Sequence, residues 1–301
     1  MSGVWRWVGL LCLVGLGCAG PGKTVGVGLR SEAVALNDAG YYYWRQGKWR
    51  LAQDKFTQAL KVNRLIDSQP GIAANLNNLG AIAQEQGDLK PAESYFQEAL
   101  AIQRAQGDTA GLAETLNNLG SVYQAQGRLN EAQGAYQEAM GYTQLLPAGP
   151  LLALTLTHLG DVARAQWDYG GARDLYYQAL AIDEAKKDRR GQAVRWERLG
   201  RTALAQQEYT QAGAFLNDAL KAFRRLEDTD GIVDALGGLT KLALARGDQQ
   251  EALNYGQRLI KIYQARGQTK EAEKLQVLLG EGARSRWGPL QSSPKPPPPT
   301  P

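Results

Sequence analysis

Residues able to carry covalent chemistry are scarce in this 301-residue chain. It has one histidine, His158, and two cysteines, Cys12 and Cys18, and no cysteine follows Cys18. An internal disulfide framework, a thiolate metal site and a cysteine–histidine nucleophile pair are thereby excluded from the body of the protein. No acid or nucleophile is fixed beside His158, so a polar contact is expected of it, with no catalytic residue and no metal site. Gly17-Cys18-Ala19-Gly20-Pro21-Gly22-Lys23-Thr24 matches the G-x-x-x-x-G-K-T phosphate loop. That loop works only between a buried strand and a helix of an α/β domain. No further strand pattern follows, so nucleotide binding is not expected and no cofactor is implied. What remains is recognition chemistry. Asn77-Asn78 and Asn117-Asn118 are adjacent carboxamides, and Arg195, Arg198 and Arg201 recur at i, i+3, i+6. A carboxamide ladder can hold the backbone of an extended peptide, or it can bond neighbouring helices to one another. The arginines can take a ligand carboxylate, or form a solvated face paired with Glu197.

The elements that must position these residues are repeated. Gly40, Gly80, Gly120, Gly160 and Gly200 lie 40 residues apart, Thr240 keeps the register and Gly280 resumes it. Leu76-Asn77-Asn78-Leu79-Gly80 recurs as Leu116-Asn117-Asn118-Leu119-Gly120. The units run 31–70, 71–110, 111–150, 151–190, 191–230 and 231–270. In the second unit a helix A over 71–86, a Gly87-Asp88 turn and a helix B over 90–105 are expected. Leu76, Leu79, Gly80 and Ala83 on helix A, with Ala92, Phe96, Ala99 and Leu100 on helix B, give the 3.6-residue period. Gly80 and Ala92 permit close approach, and Phe96 fills the space beside them. Gln69-Pro70-Gly71, Pro147-Ala148-Gly149-Pro150 and Asp230-Gly231 read as loops between units. Each unit buries its apolar face only against its neighbours, so an end cap is needed. The segment 271–281, within the helical pattern Thr269 to Leu279, supplies it. Residues 18–30 read as a linker, and 282–301 as a disordered, proline-rich spacer.

These residues resemble the tetratricopeptide repeat. The second unit supplies Leu76, Leu79, Gly80, Ala83, Ala92, Phe96 and Ala99; the third supplies Leu116, Leu119, Gly120, Tyr123, Ala132, Tyr136 and Ala139. The fifth unit departs with Leu216 at the aromatic place, the sixth with Thr240 and Gly256. The period of 40 resembles the variety found in kinesin light chains. The resemblance implies an all-α, right-handed α-solenoid whose A helices line a concave groove for a protein or peptide partner. Read along the units, the groove positions on which binding is expected are Asn37, Tyr41, Asn77, Asn78, Asn117, Asn118, His158, Arg198 and Arg201. The units at the middle carry three basic residues (Lys90, Arg104, Arg128) against eight acidic ones, which argues against a nucleic-acid track. No small-molecule substrate is expected.

The N-terminus, MSGVWRWVGLLCLVGLGCAG, has one positive charge, Arg6, and an apolar run too short to span a bilayer. It has the layout of a signal peptide over 1–17. Gly15-Leu16-Gly17-Cys18 resembles a bacterial lipobox, which implies lipidation at Cys18; Ala19 after it implies the outer membrane. The alternative is cleavage near Ala19 and a soluble periplasmic or secreted product. The expected function is a non-enzymatic scaffold of the cell envelope; by resemblance, lipoproteins of this build assist assembly of secretins, pili or outer-membrane complexes. The alternative is a cytoplasmic regulatory adaptor that keeps residues 1–20.

Overall fold

The 40-residue spacing becomes a stack of helix pairs in the computed structural model, which describes residues 21–282. Among them thirteen helices run in order: α1 Pro21–Arg45, α2 Trp49–Leu65, α3 Gln69–Glu85, α4 Leu89–Gln106, α5 Thr109–Ala125, α6 Leu129–Thr143 and α7 Pro150–Ala165. They continue as α8 Tyr169–Lys186, α9 Arg189–Ala205, α10 Tyr209–Arg225, α11 Thr229–Ala245, α12 Gln249–Ala265 and α13 Thr269–Gly282. The described residues contain no strand. Odd-numbered helices are the A helices and even-numbered ones the B helices. Each packs on the next, and α3, α5, α7, α9 and α11 also touch in succession, so the A helices form one continuous layer. The expected signal peptide, Cys18 and most of the proline-rich tail lie outside the described residues.

The register glycines exist for close approach. A Cβ on Gly80 would sit 2.7 Å from the Phe96 ring, and one on Gly120 would sit 2.5 Å from Tyr136. Those rings are fully buried, and the equivalent Phe56 and Tyr176 repeat the arrangement. The sixth unit inverts it. Thr240 stands at the glycine place and bonds its hydroxyl to the Leu236 carbonyl. Gly256 stands at the aromatic place, where an added Cβ would lie 2.4 Å from Leu279 of α13. The capping helix thus inserts its own leucine where another unit would supply a ring. The departure of the sixth unit is its adaptation to the cap.

Turn and cap chemistry accounts for the boundaries. Gly47, Gly87, Gly127 and Gly247 have the left-handed φ that ends a helix, and Trp167 and Gln207 adopt it too, at φ 68 and 62. Asp108, Asp168, Asp188 and Asp228 accept a backbone N–H three residues on, from Gly111, Gly171, Gly191 and Gly231. This corrects three expectations. Pro70-Gly71, Pro150 and Asp230-Gly231 are not loop residues but first-turn residues of α3, α7 and α11, where the N–H that proline lacks would have no intrahelical partner. Helix α1 begins at Pro21, so residues 21–30 are helical where a linker was expected. Pro21 to Thr24, half of the phosphate-loop match, are the first turn of that helix.

The junctions between units carry a second pattern. The last buried residue of each B helix faces one A-helix residue of the next unit. Asn63 donates to Asn75 at 2.7 Å, and Asp183 meets Arg195 at 3.2 Å with both side chains buried. The same two register positions hold Gln103 and Thr115, Thr143 and Thr155, and Phe223 and Ala235, all of them buried. Arg195 therefore does not share a face with Arg198 and Arg201. At 100° per residue, i, i+3 and i+6 spread over about 120°, and Arg195 turns into the junction with α8.

Candidate functional site

The A-helix layer presents the expected groove positions, and their contacts divide it into two halves. In the first half the carboxamides bond one another. Asn37 Oδ1 accepts from Asn75 at 3.0 Å and from Asn78 at 3.2 Å. The Tyr41 hydroxyl donates to Asn78 Oδ1 at 2.9 Å. Asn118 donates to Asn77 at 3.1 Å, and Asn117 donates to the Ala113 carbonyl and to Thr155 Oγ1. Asn78 and Asn117 are buried. Of the two uses open to a carboxamide ladder, these contacts supply the helix-to-helix one: each asparagine ties an A helix to its neighbour or to its own turn.

The middle of the layer holds buried charge. The His158 ring stacks on Tyr136, centroids 4.9 Å apart and 9° from parallel. Burial, reinforced by Arg198 and Arg195, pushes the imidazole down to about 4, against the opposing pull of Asp161. His158 is neutral at physiological pH. Tyr176 donates to Asp161 Oδ1 at 2.8 Å, and Arg198 bridges Asp161 at 3.0 Å and Glu197 at 2.7 Å. Arg201 pairs with Glu197 and reaches Asp234 at 3.0 Å. Burial opposes the Arg198 charge, yet Asp161 and Glu197 together raise its pKa. Glu197 is itself only 2% exposed, while Arg198 and Arg201, both partly exposed, pair with it. They are one chain of ion pairs crossing α7, α9 and α11.

Beyond this chain the groove opens. Where the second and third units carry two carboxamides, α11 carries Gly237-Gly238. A Cβ on Gly238 would strike Leu216 at 2.6 Å, but one on Gly237 meets only Leu259, at 4.0 Å. The missing side chain leaves a cavity of about 540 Å³ between α9, α11 and α13. Leu204, Val233 and Leu275 form its walls, and Lys241 and Lys274 stand at its edge. Both lysines are exposed, and neither enters an ion pair among the described residues, although Asp234 and Glu271 line the same cavity. The sequence marks this opening only as an absence, two glycines in a row of side chains, and Lys241 as the successor of Arg201.

Among the described residues, no group of His, Cys, Asp and Glu could hold a metal ion, and no helix is long and apolar enough to cross a membrane. The architecture is that of an α-solenoid repeat protein with a side-chain-lined groove. The tetratricopeptide repeat family model matches residues 31–105, 111–185 and 192–265, and the chain belongs to that family. Such repeats are typically protein–protein interaction modules. Solved structures share the fold. Pseudomonas aeruginosa pilF is 21% identical with a TM-score of 0.55, over 82% of this chain and 99% of that one. The Rap protein complexed with Competence and Sporulation Factor is 14% identical with a TM-score of 0.63, over 87% and 79%. The kinesin light chain TPR-like repeats of Podosopora anserina are 19% identical with a TM-score of 0.52, over 67% and 98%. Curated protein sequences give no significant match.

Proposed function

We propose that this protein is a non-enzymatic scaffold that binds a protein or peptide partner along its A-helix groove, at the open half formed by α9, α11 and α13. The cavity at Gly237 carries this reading. It joins apolar walls to two unpaired lysines, the combination of burial and orienting charge that a binding groove needs. In the first half Asn37, Asn77, Asn78 and Asn118 are already bonded from helix to helix, and Asn117 donates to Thr155. A solved structure of the same fold, the Rap protein, is complexed with Competence and Sporulation Factor, which supports a reading of partner binding. We further propose that Cys18 is lipidated, so that the scaffold works at the cell envelope, facing the periplasm from the outer membrane.

The test is photo-cross-linking in intact cells, with a benzophenone amino acid placed at Lys241 or, as a control, at exposed Lys221 on α10. The groove reading requires an adduct specific to position 241 that disappears with Gly237→Trp. Identical adducts at both positions sink it. A parallel Cys18→Ser variant moves from the membrane to the soluble fraction if the anchor is real. A soluble cytoplasmic product that retains residues 1–17 would select the adaptor reading instead.

A further inference from the structure

A second cavity, away from the groove, lies in the fifth unit at the edge where the connections between units run. It measures about 280 Å³ and is lined by Arg189, Gln192 and Trp196 of α9 and by Ala222, Arg225 and Leu226 at the end of α10. The other units show that it is a local departure. Where this unit has Ala222, the others have Val62, Ile102, Tyr142, Ile182 and Ile262. Where it has Gln192, the first unit has Glu32 and the rest have Ile72, Leu112, Leu152 and Ile232; where it has Trp196, all the others have a Leu, such as Leu76 and Leu236. At the two mouth positions, Arg189 replaces Gln69, Thr109, Gly149 and Thr229, and Arg225 replaces Leu65, Ala105, Leu145, Ala185 and Ala265. Five positions change together. One opens a hole, one puts an indole on its wall, one adds an amide, and two set cations at the mouth.

The local electrostatics leave those cations unmet. Asp188 caps the Gly191 N–H, and Asp228 is held by Arg190 at 2.7 Å. Arg189 and Arg225 enter no ion pair with either. Gln192 donates to the Asp183 carbonyl at 3.2 Å, which leaves its carbonyl oxygen and the two guanidinium forks to serve a guest. An apolar hole with an aromatic wall and paired cationic forks suits one ligand chemistry: a flat apolar body ending in an anionic oxygen group. We propose that this pocket is a binding site for an aromatic or aliphatic carboxylate, presented either by a free small molecule or by a side chain of a partner. The volume is roughly that of nine water molecules, enough for an aromatic ring and its acid group.

The experiment uses the full chain labelled with 5-fluorotryptophan. The Trp196 signal is assigned by its loss in Trp196→Phe. Indole-3-propionate and octanoate are titrated to about 10 mM, with indole-3-propionamide as the uncharged control and acetyl-Trp-Asp-amide as the chain-borne form. The expected result is a saturable shift of the Trp196 signal by an acid probe, with the uncharged amide about tenfold weaker or more, as the loss of a charge-assisted hydrogen bond implies. Ala222→Ile places in the pocket the side chain that three other units carry there, and it abolishes the shift while far-UV circular dichroism stays unchanged. Arg189→Gln and Arg225→Gln each weaken binding about tenfold. Tighter binding of the dipeptide than of the free acids assigns the ligand to a partner chain; the reverse assigns it to a small molecule. The proposal is overturned if no probe moves Trp196, if Ala222→Ile binds as well as the native chain, or if the uncharged amide binds equally well.

Discussion

The buried Asp183–Arg195 pair at the junction of α8 and α9 allows a sharp energetic test. Arg195 is 6% exposed and Asp183 1%. Burial raises the carboxyl pKa and lowers that of the guanidinium, so each charge persists because of the other. Removing one partner strands a buried charge, at about 3–5 kcal/mol, whereas replacing both by apolar groups that fit is neutral or stabilising by about 1–4 kcal/mol. The molecule supplies the fitting replacement. At the next junction Phe223 and Ala235 occupy the same two register positions. A Cβ on Gly191 would lie 2.5 Å from Asp183, and one on Gly231 2.2 Å from Phe223, so both side chains cover the same glycine. Asp183→Ala is therefore expected to cost about 3–5 kcal/mol, and Asp183→Phe with Arg195→Ala about zero or less. Urea unfolding followed by far-UV circular dichroism reads both. Because repeat arrays can unfold in stages, the comparison is made on the transition assigned to the fifth unit. A single-variant cost below about 1 kcal/mol would refute the claim that this pair is a buried junction contact. A double variant as unstable as the single one would refute the interchangeability of junctions.

Three further outcomes follow from local geometry. Gly237→Ala gains about 0.5–1 kcal/mol by stiffening α11, while Gly120→Ala loses about 1–3 kcal/mol because the Tyr136 ring must move; paired thermal melts decide between them. The folded-state pKa of His158 lies below its unfolded value, so its contribution is present above about pH 6.5 and lost as pH falls towards 4, by up to about 3 kcal/mol. His158→Gln should remove that slope from the pH–stability curve, leaving the opposite-signed contribution of Glu197, whose pKa is raised by burial. A slope unchanged in the variant would show that another group carries it. Gln207, held at φ 62, should gain about 0.5–1 kcal/mol on substitution by glycine, since the left-handed strain outweighs the extra freedom of the unfolded chain. An equilibrium denaturation series that finds no gain refutes that balance.

What the sequence made legible was whatever repeats as a presence. Gly80 with Phe96 and Gly120 with Tyr136 announce the close helix pair, and the spacing then dictates the solenoid. What it obscured was relational. Gly71 and Gly231 look like loop residues by type, yet they lie in the first turns of helices and are small because a side chain of the preceding B helix lies directly over each. The junction pairs were readable in principle. Asn63 and Asn75, Asp183 and Arg195, and Phe223 and Ala235 change type together, but only if two helices of different units are read at once. Helix A taken alone sets Arg195 beside Arg198 and hides the ion pair. The openings were harder still. Gly237 and Ala222 carry no chemistry of their own, and a missing side chain signals a cavity only once the surrounding side chains are placed.

The division of the groove has an energetic consequence for where a partner engages. In the first half, Asn37, Asn77, Asn78 and Asn118 are bonded from helix to helix. A peptide that recruited those amides would exchange one set of hydrogen bonds for another, and the net worth of each is only about 0.5–1.5 kcal/mol. Nearly nothing is gained there, and the cohesion of the A layer is weakened. In the second half the exchange is unequal. Lys241 and Lys274 give up only water, and the walls at Leu204, Val233 and Leu275 remove apolar surface from water at about 25 cal/mol per Å². The same carboxamides that resemble a ligand clamp in sequence therefore act against binding where they sit. It is their replacement by Gly237-Gly238 that converts one stretch of a continuous structural face into a receptive one. Groove substitutions should accordingly separate by position: Asn78→Ala acts on stability and spares the partner, whereas Gly237→Trp leaves α11 intact and blocks it.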